Sequence, residues 1–164
     1  MLRRIIKVLK ALNSNEAPWQ ISLGIIFGAL LGLTPLFSLH NLVVLFLALF
    51  INLNISMMIV SFAAFSLIAY ALDPVFHQVG LALLTLPGLE SFWMQFFSCP
   101  VFLFANLNNT IVMGSLISTL AVSVPLFFLL NLLVVKYRHV YNTFIGRFPV
   151  LKFLKVLDVY EKAS

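Results

Sequence analysis

The stretch from Ala17 to Val135 contains no lysine and no arginine. Its only acidic side chains are Asp73 and Glu90. The whole chain is 62% hydrophobic and 9% charged, whereas in soluble domains about a quarter of the residues are charged. A span this long and this poor in charge belongs in a bilayer, where helices satisfy their own backbone groups. The pattern therefore predicts an all-α integral membrane protein.

Basic residues are confined to the two ends of the chain, where they alternate with apolar residues at helical spacing. In residues 1–16, apolar side chains share one helical face, and Arg3, Lys7 and Lys10 share the opposite face. Residues 136–164 repeat the pattern. We therefore expect a basic amphipathic interfacial helix at the start, a basic amphipathic cytoplasmic tail at the end, and contact with an anionic lipid surface. Because short basic flanks are retained inside, both termini should be cytoplasmic and the number of crossings even. Nothing resembles the aromatic and basic interleaving of nucleic-acid binders.

Prolines, glycines and asparagines divide the membrane domain, residues 17–135, into segments. We expect a hairpin over 18–51 broken at Thr34-Pro35, a crossing over 55–72, a short helix over 74–86, an interfacial piece over 92–104 and a crossing over 110–135. The hairpin follows from length. As one helix, residues 18–51 would extend about 50 Å, far more than the roughly 30 Å hydrocarbon core, and as two helices they would leave only about 17 residues for each crossing. A bent or re-entrant hairpin with two full crossings satisfies the even count, and four crossings would satisfy it too.

Gly24, Gly28 and Gly32 recur at every fourth position and share one helical face. Without side chains, this glycine stripe lets another backbone approach closely. The approaching helix can belong to the same chain, to another copy or to a partner, and the slot can also admit a lipid chain. The stripe predicts close packing and leaves its occupant open.

Polar side chains inside the apolar span are costly in lipid and are candidates for function. The candidates are His40, Asn41, Asp73, His77, Asn108 and Asn109. Asp73 and His77 lie one helical turn apart. The favoured interpretation is structural, with Asp73 as an N-cap and Pro74 at the first helical position. A proton-handling or metal-handling pair is the alternative, and a metal site would require His40 to approach this turn.

The bend at Pro35 frees backbone groups that His40 is expected to satisfy, and the asparagines should cap helices or bridge backbone at the joints. If that bend faced the joint at residues 106–109, the two would form a polar pocket at membrane depth, as in transporters. Cys99 is the single cysteine, which excludes an internal disulfide. No nucleophile elbow, aspartate pair or phosphate loop occurs, so we expect a non-enzymatic protein without cofactor or metal.

Three stretches are similar to a bacterial membrane family, the domain of unknown function 2062, and within it to a branch of short proteins. They read "PWQISLGIIFGALLGLTPLFSLHNLVVLFLALF", "LDPVFHQVGLALLT" and "NNTIVMGS". The resemblance implies a bacterial inner membrane in species with an outer membrane, and a gene neighbour encoding a larger envelope protein. Residues that recur in the family match Gly24, Gly28, Gly32, Pro35, His40, Asn41, Asp73, Pro74, His77, Asn108 and Asn109.

From these patterns we first expect a small non-enzymatic inner-membrane subunit that docks or anchors a larger cell-envelope protein, for example in lipid transport to the outer membrane. The glycine stripe would pack against the partner's helix, and self-association stays open. The alternative is a small transporter or lipid scramblase-like protein. Its polar path would use the Pro35 bend with His40, Asp73 and His77.

Overall fold

A computed structural model describes residues 16–147 and is helical between short loops, with no strand in that range. The helices are α1 (Pro18–Leu33), α2 (Leu39–Phe50), α3 (Ile55–Leu84), α4 (Glu90–Ser98), α5 (Pro100–Phe104) and α6 (Thr110–Arg147). The all-α prediction is confirmed for this part of the chain. Residues 1–15 and 148–164, which hold the predicted N-terminal amphipathic helix and most of the predicted basic tail, lie outside the described residues.

Two of these helices, α3 and α6, meet the length and composition that a membrane crossing requires. The apolar spans are Ile55–Leu84 and Thr110–Val140, with mean hydropathies of 2.1 and 2.2. In their most apolar windows only 17% and 11% of the residues are buried. The core helix of a soluble protein would be mostly buried, whereas a membrane helix presents apolar side chains outward to lipid.

The helices α1 and α2 form a hairpin. The backbone amide of Asn54 donates to the carbonyl oxygen of Gln20 at 3.0 Å. Ala48 and Leu53, which follow the bend, share a buried cluster with Leu23 near the start of α1. The helices have 16 and 12 residues, or about 24 and 18 Å. Each is therefore shorter than the roughly 30 Å hydrocarbon core, and the chain returns to the level at which it started.

The helix α3 runs beside α1 in the same direction, and the glycine stripe is their contact. A Cβ added at Gly28 would lie 2.6 Å from the Cβ of Ser61 and 2.8 Å from the amide nitrogen of Phe62. Gly24 and Gly32 meet the α3 backbone one turn before and one turn after. The face predicted for a partner helix or a lipid chain is therefore filled by a helix of the same chain.

A polar bond reinforces this parallel contact. The hydroxyl of Ser61 donates to the carbonyl oxygen of Ile25 at 2.7 Å, and Ser61 is buried. At the end where α1 begins, Ile21 and Met57 form a buried cluster with Val134 of α6. Since Gly114 near the start of α6 meets Gly80 near the end of α3, α6 runs antiparallel to the other two and completes a three-helix bundle.

A second glycine crossing joins α3 to α6. A Cβ at Gly114 would lie 2.8 Å from the amide nitrogen of Gly80, and one at Gly80 would lie 2.7 Å from the carbonyl carbon of Thr110. Two backbones therefore meet here with no side chain between them. Each helix contributes one glycine to this crossing, so the sequence shows no repeated spacing that would have predicted it.

The continuation of α3 through Asp73 and Pro74 corrects the sequence prediction of a new helix over 74–86. Pro74 offers no amide to the preceding turn, and membrane helices accommodate that loss where neighbouring helices hold both sides. Phe76 and Gly80, beyond the proline, are buried against α6. Asp73 therefore lies inside a helix and does not cap one. Likewise, α6 passes through Pro125 and continues beyond the predicted end of its crossing at residue 135.

The two short helices α4 and α5 cover the predicted interfacial piece over 92–104 and turn back toward the end of α3. The indole nitrogen of Trp93 donates to the carbonyl oxygen of Leu83 at 3.1 Å. In a continued helix that carbonyl would accept from residue 87, which is a proline and has no amide. The tryptophan therefore supplies a donor that the backbone lacks.

Candidate functional site: a polar cavity beyond the hairpin

The bend between α1 and α2 is closed by its own side chains. Thr34 and Asn41 are both buried, and the Nδ2 of Asn41 donates to the carbonyl oxygens of Pro35 at 3.0 Å and Leu36 at 3.4 Å. The hydroxyl of Ser38 donates to Pro35 as well, at 2.7 Å. Side chains of the bend therefore satisfy the carbonyl oxygens of Pro35 and Leu36, and the bend is a defined structure.

His40 does not take the role expected of it at this bend. Its Nε2 lies 2.9 Å from the Ser38 hydroxyl, and the imidazole tautomer decides which of the two groups donates. Its Nδ1 is buried and has no hydrogen-bond partner among residues 16–147. Ser38 and Asn41 satisfy the bend's backbone in place of His40.

A cavity of about 800 Å³ lies beyond this bend, within the size range of small-molecule sites. Its origin is the difference in helix length. At the level of Gly32, α1 is about to end, whereas α3 continues for about five further turns to Leu84. Beyond that level the bundle lacks its third helix, and the loop before α6 fills the space only in part. We call this space the polar cavity.

One wall of the polar cavity is a polar stripe on α3, formed by Ser66, Tyr70 and Asp73. These residues occupy positions i, i+4 and i+7, so they share one helical face. Asp73 is half-buried and, within the described part of the chain, makes no hydrogen bond or ion pair. Its carboxylate is therefore available to a ligand.

The opposite wall comes from the joint before α6. Asn109 caps that helix, since its Oδ1 accepts from the amides of Ile111 at 2.9 Å and Val112 at 3.3 Å. Its amide nitrogen is left as a donor. Asn106 has a φ of 56°, a left-handed conformation that asparagine adopts more readily than most residues. Both asparagines line the cavity together with Thr34 and Pro35 of the bend. The bend therefore faces the joint, which was the condition for a polar pocket in the sequence analysis.

The predicted polar residues divide into two groups. Asp73 and Asn109 line the cavity, and Asn41 supports the bend beneath it. His77 instead contacts the hydroxyl of Thr110 at 2.7 Å through its Nδ1, and Asn108 is exposed outside the lining. Asp73 and His77 do not form an ion pair, and no three His, Cys, Asp or Glu side chains among residues 16–147 are grouped to hold a metal ion.

A family model described as "Uncharacterized protein conserved in bacteria (DUF2062)" matches residues 2–142. The chain belongs to the DUF2062 family. An uncharacterized protein of Treponema pallidum (strain Nichols) is 25% identical over 138 residues, which is 84% of this chain and 85% of the relative. No solved structure matches the chain described here. The family resemblance noted from the sequence is confirmed.

Two polar residues of this DUF2062 cavity, Ser66 and Tyr70, were missed by sequence reasoning, whereas Thr34 and Asn106 belong to the bend and the joint named there. A signal for Ser66 and Tyr70 was present, because they share the helical face of Asp73 within an apolar segment. The proposed break at Asp73-Pro74 hid this stripe by assigning its members to different helices. Thr34 and Asn106 come together only through the tertiary fold.

The electrostatics of the cavity in this DUF2062 chain are simple. Among residues 16–147, Asp73 is the only acidic or basic residue in its lining, and the sequence holds no lysine or arginine between Ala17 and Val135. Hydroxyl and amide groups provide the remaining polar surface. The cavity can therefore accept a cation at its carboxylate and offer neutral hydrogen-bond donors around it, and it is unsuited to an isolated anion.

Proposed function

We propose that this chain is a small multi-pass protein of a bacterial inner membrane that moves a polar group through the hydrocarbon, as a small transporter or lipid scramblase-like protein. The observation that carries the proposal is that Asp73 faces the Pro35 bend and Asn109 across one cavity. Polar groups at membrane depth are retained where they line a pathway or a binding site. A protein that only fixed another in the membrane would have no need of such a cavity.

The proposed arrangement in the bilayer follows from helix length and the basic ends. The helices α3 and α6 cross the membrane, and the hairpin of α1 and α2 enters and leaves on the side of the termini. The positive-inside rule makes that side cytoplasmic. Broken helices are accepted at membrane depth where they line a cavity. In this arrangement the polar cavity lies toward the periplasmic half of the membrane.

Docking of a larger envelope protein is the competing function expected from the sequence. Its support was the glycine stripe, the low charge content and the gene neighbour that the resemblance implies, and α3 occupies the stripe at Gly24, Gly28 and Gly32. A partner would have to bind elsewhere. One experiment separates the two functions. The tagged protein is expressed at its native level and purified from its native membrane, and mass spectrometry identifies what copurifies. A stoichiometric envelope protein would favour docking.

The direct test is reconstitution into liposomes that carry a trace of fluorescent phospholipid, with a membrane-impermeant reductant added outside. We expect loss of inner-leaflet fluorescence in the presence of the protein. Ala69 lines the cavity and Ala63 is exposed on another face of the same helix. The change Ala69→Phe should slow this loss at least about tenfold, equivalent to roughly 1.4 kcal/mol, and Ala63→Phe should not. Equal rates for the two variants, or no movement with the wild type, would contradict the proposal.

A further inference from the structure

A second opening lies beside the polar cavity, on the other side of the hairpin. This apolar groove has a volume of about 460 Å³ and separates α2 from the first half of α3. Its side walls include Leu42 and Leu45 on α2 and Met58 and Ile59 on α3. The polar residues that reach it, Ser38 and Asn41, already bond to the bend. The groove therefore offers an apolar surface to whatever occupies it.

The apolar groove and the polar cavity lie side by side. Leu31, Leu36 and Phe62 line both of them, so the two spaces meet at the bend with these three side chains as their common wall. One end of the combined space is apolar and the other end is polar with a single carboxylate. This distribution fits one amphiphilic molecule better than two separate ligands.

We propose that the groove and the cavity together bind one phospholipid with an amine-bearing head group. The assignment rests on the proposed function in that both use the polar cavity. The acyl chain occupies the apolar groove, and the ammonium group lies at Asp73. The hydroxyls of Ser66 and Tyr70 and the amide of Asn109 donate to the phosphate and ester oxygens.

The charge of the cavity selects this class of head group. An ammonium group neutralises the Asp73 carboxylate, which has no ion-pair partner among the described residues. A lipid whose head group is anionic overall would place its phosphate beside that carboxylate with no lysine or arginine in the lining to compensate. Phosphatidylethanolamine should therefore bind more tightly than phosphatidylglycerol with the same acyl chains.

The dimensions and direction of the site also fit a lipid. From Met58 to Asp73 the helix α3 rises about 22 Å, and one leaflet contributes about 15 Å of hydrocarbon. The difference leaves room for a head group at the Asp73 end. The acyl chain points from there toward the base of the hairpin, so the bound lipid belongs to the leaflet on the Asp73 side, opposite the termini.

The experiment is native mass spectrometry of the full-length protein, purified in mild detergent and equilibrated with equal amounts of phosphatidylethanolamine and phosphatidylglycerol of matched acyl chains. The wild type should retain phosphatidylethanolamine in at least about threefold excess, the effect of a partly exposed ion pair. Asp73→Asn should abolish the excess and keep the total bound lipid. Asp73→Glu should restore it, and Glu90→Gln, which removes the other carboxylate of the span, should leave it unchanged.

The acyl-chain half of the site is tested separately. Ile59 lines the groove, whereas Leu67 is 78% exposed on α3 outside both linings. Ile59→Trp should lower the total bound lipid and keep the head-group ratio, and Leu67→Trp should change neither. Equal binding of the two head groups by the wild type, an unchanged excess in Asp73→Asn, or equal lipid in the two tryptophan variants would overturn the inference.

These outcomes are distinct from a failure of the proposed function. If the protein binds phosphatidylethanolamine through Asp73 but moves no lipid in liposomes, the site stands and the transport proposal falls. If lipid moves in a way that Ala69→Phe blocks, yet binding shows no head-group preference, transport stands and the amine-lipid site falls.

Discussion

The hydroxyl oxygen of Thr34 lies 2.7 Å from the Oδ1 of Asn41, across the bend that ends α1 and starts α2. It also lies 2.6 Å from the carbonyl oxygen of Leu30, so its single proton can serve either acceptor. Thr34 lines the polar cavity and Asn41 lines the apolar groove. One polar contact therefore holds the boundary between the two spaces.

Replacement of Asn41 by alanine should destabilise the protein by about 1–3 kcal/mol, because the carbonyl oxygen of Leu36 would lose its donor and that of Pro35 would lose one of two. Asn108→Ala is the matched control, since Asn108 is exposed and makes no hydrogen bond within the described residues. The midpoint of thermal unfolding in detergent should fall for the first variant only. Equal midpoints would mean that the side chain of Asn41 does not support the bend.

Gly28→Ala should destabilise the bundle by about 1–3 kcal/mol, because the new Cβ overlaps the α3 backbone at Met58 and Phe62. Gly114→Ala should behave alike at the crossing of α3 and α6. Ala63→Val, which enlarges an exposed residue of α3, should have a much smaller effect. Stability is measured by denaturation in detergent. A stable Gly28→Ala protein that loses a binding partner would instead return the stripe to an intermolecular role.

The proposed two-crossing arrangement predicts the sidedness of three single cysteines, introduced after Cys99→Ser. Glu16→Cys and Asn52→Cys should react with a membrane-impermeant maleimide from the cytoplasmic side, because the hairpin returns to the level where it starts. Pro87→Cys, beyond the end of α3, should react from the periplasmic side. Labelling of positions 16 and 52 from opposite sides would contradict the re-entrant hairpin.

Trp93→Phe should loosen the last turn of α3 by about 1 kcal/mol, because the carbonyl oxygen of Leu83 loses its indole donor and Pro87 supplies no amide. Amide hydrogen exchange near Thr85 should accelerate, while the midpoint of global unfolding changes little. Trp19→Phe controls for the loss of an indole at a distant site. Unchanged exchange near Thr85 would show that Trp93 contributes packing alone.

The sequence by itself indicated a membrane character and most of the helical segments. A span from Ala17 to Val135 without lysine or arginine favours helices in hydrocarbon, because a helix satisfies its own backbone where water is absent. Proline acts locally as well, because its ring and its missing amide disfavour a helix at Thr34-Pro35 in most surroundings. The structure ends α1 at Leu33, one residue before that pair. These properties depend on neighbours in sequence, which a sequence displays.

Only the tertiary structure decided what those helices touch. The same local rule predicted that a new helix starts at Asp73-Pro74. In the structure α3 continues through the proline, and the crossing of Gly80 with Gly114 holds the part of α3 beyond it against α6. The stripe at Gly28 indicated close approach but not that α3 would fill it. Asp73 and Asn109 share a cavity because α1 ends short of its neighbours, which is a relation between helix lengths in a bundle. Local signals amount to about 1 kcal/mol for a cap and about 3 kcal/mol for a proline inside a helix, whereas packing sums many contacts and here outweighs them.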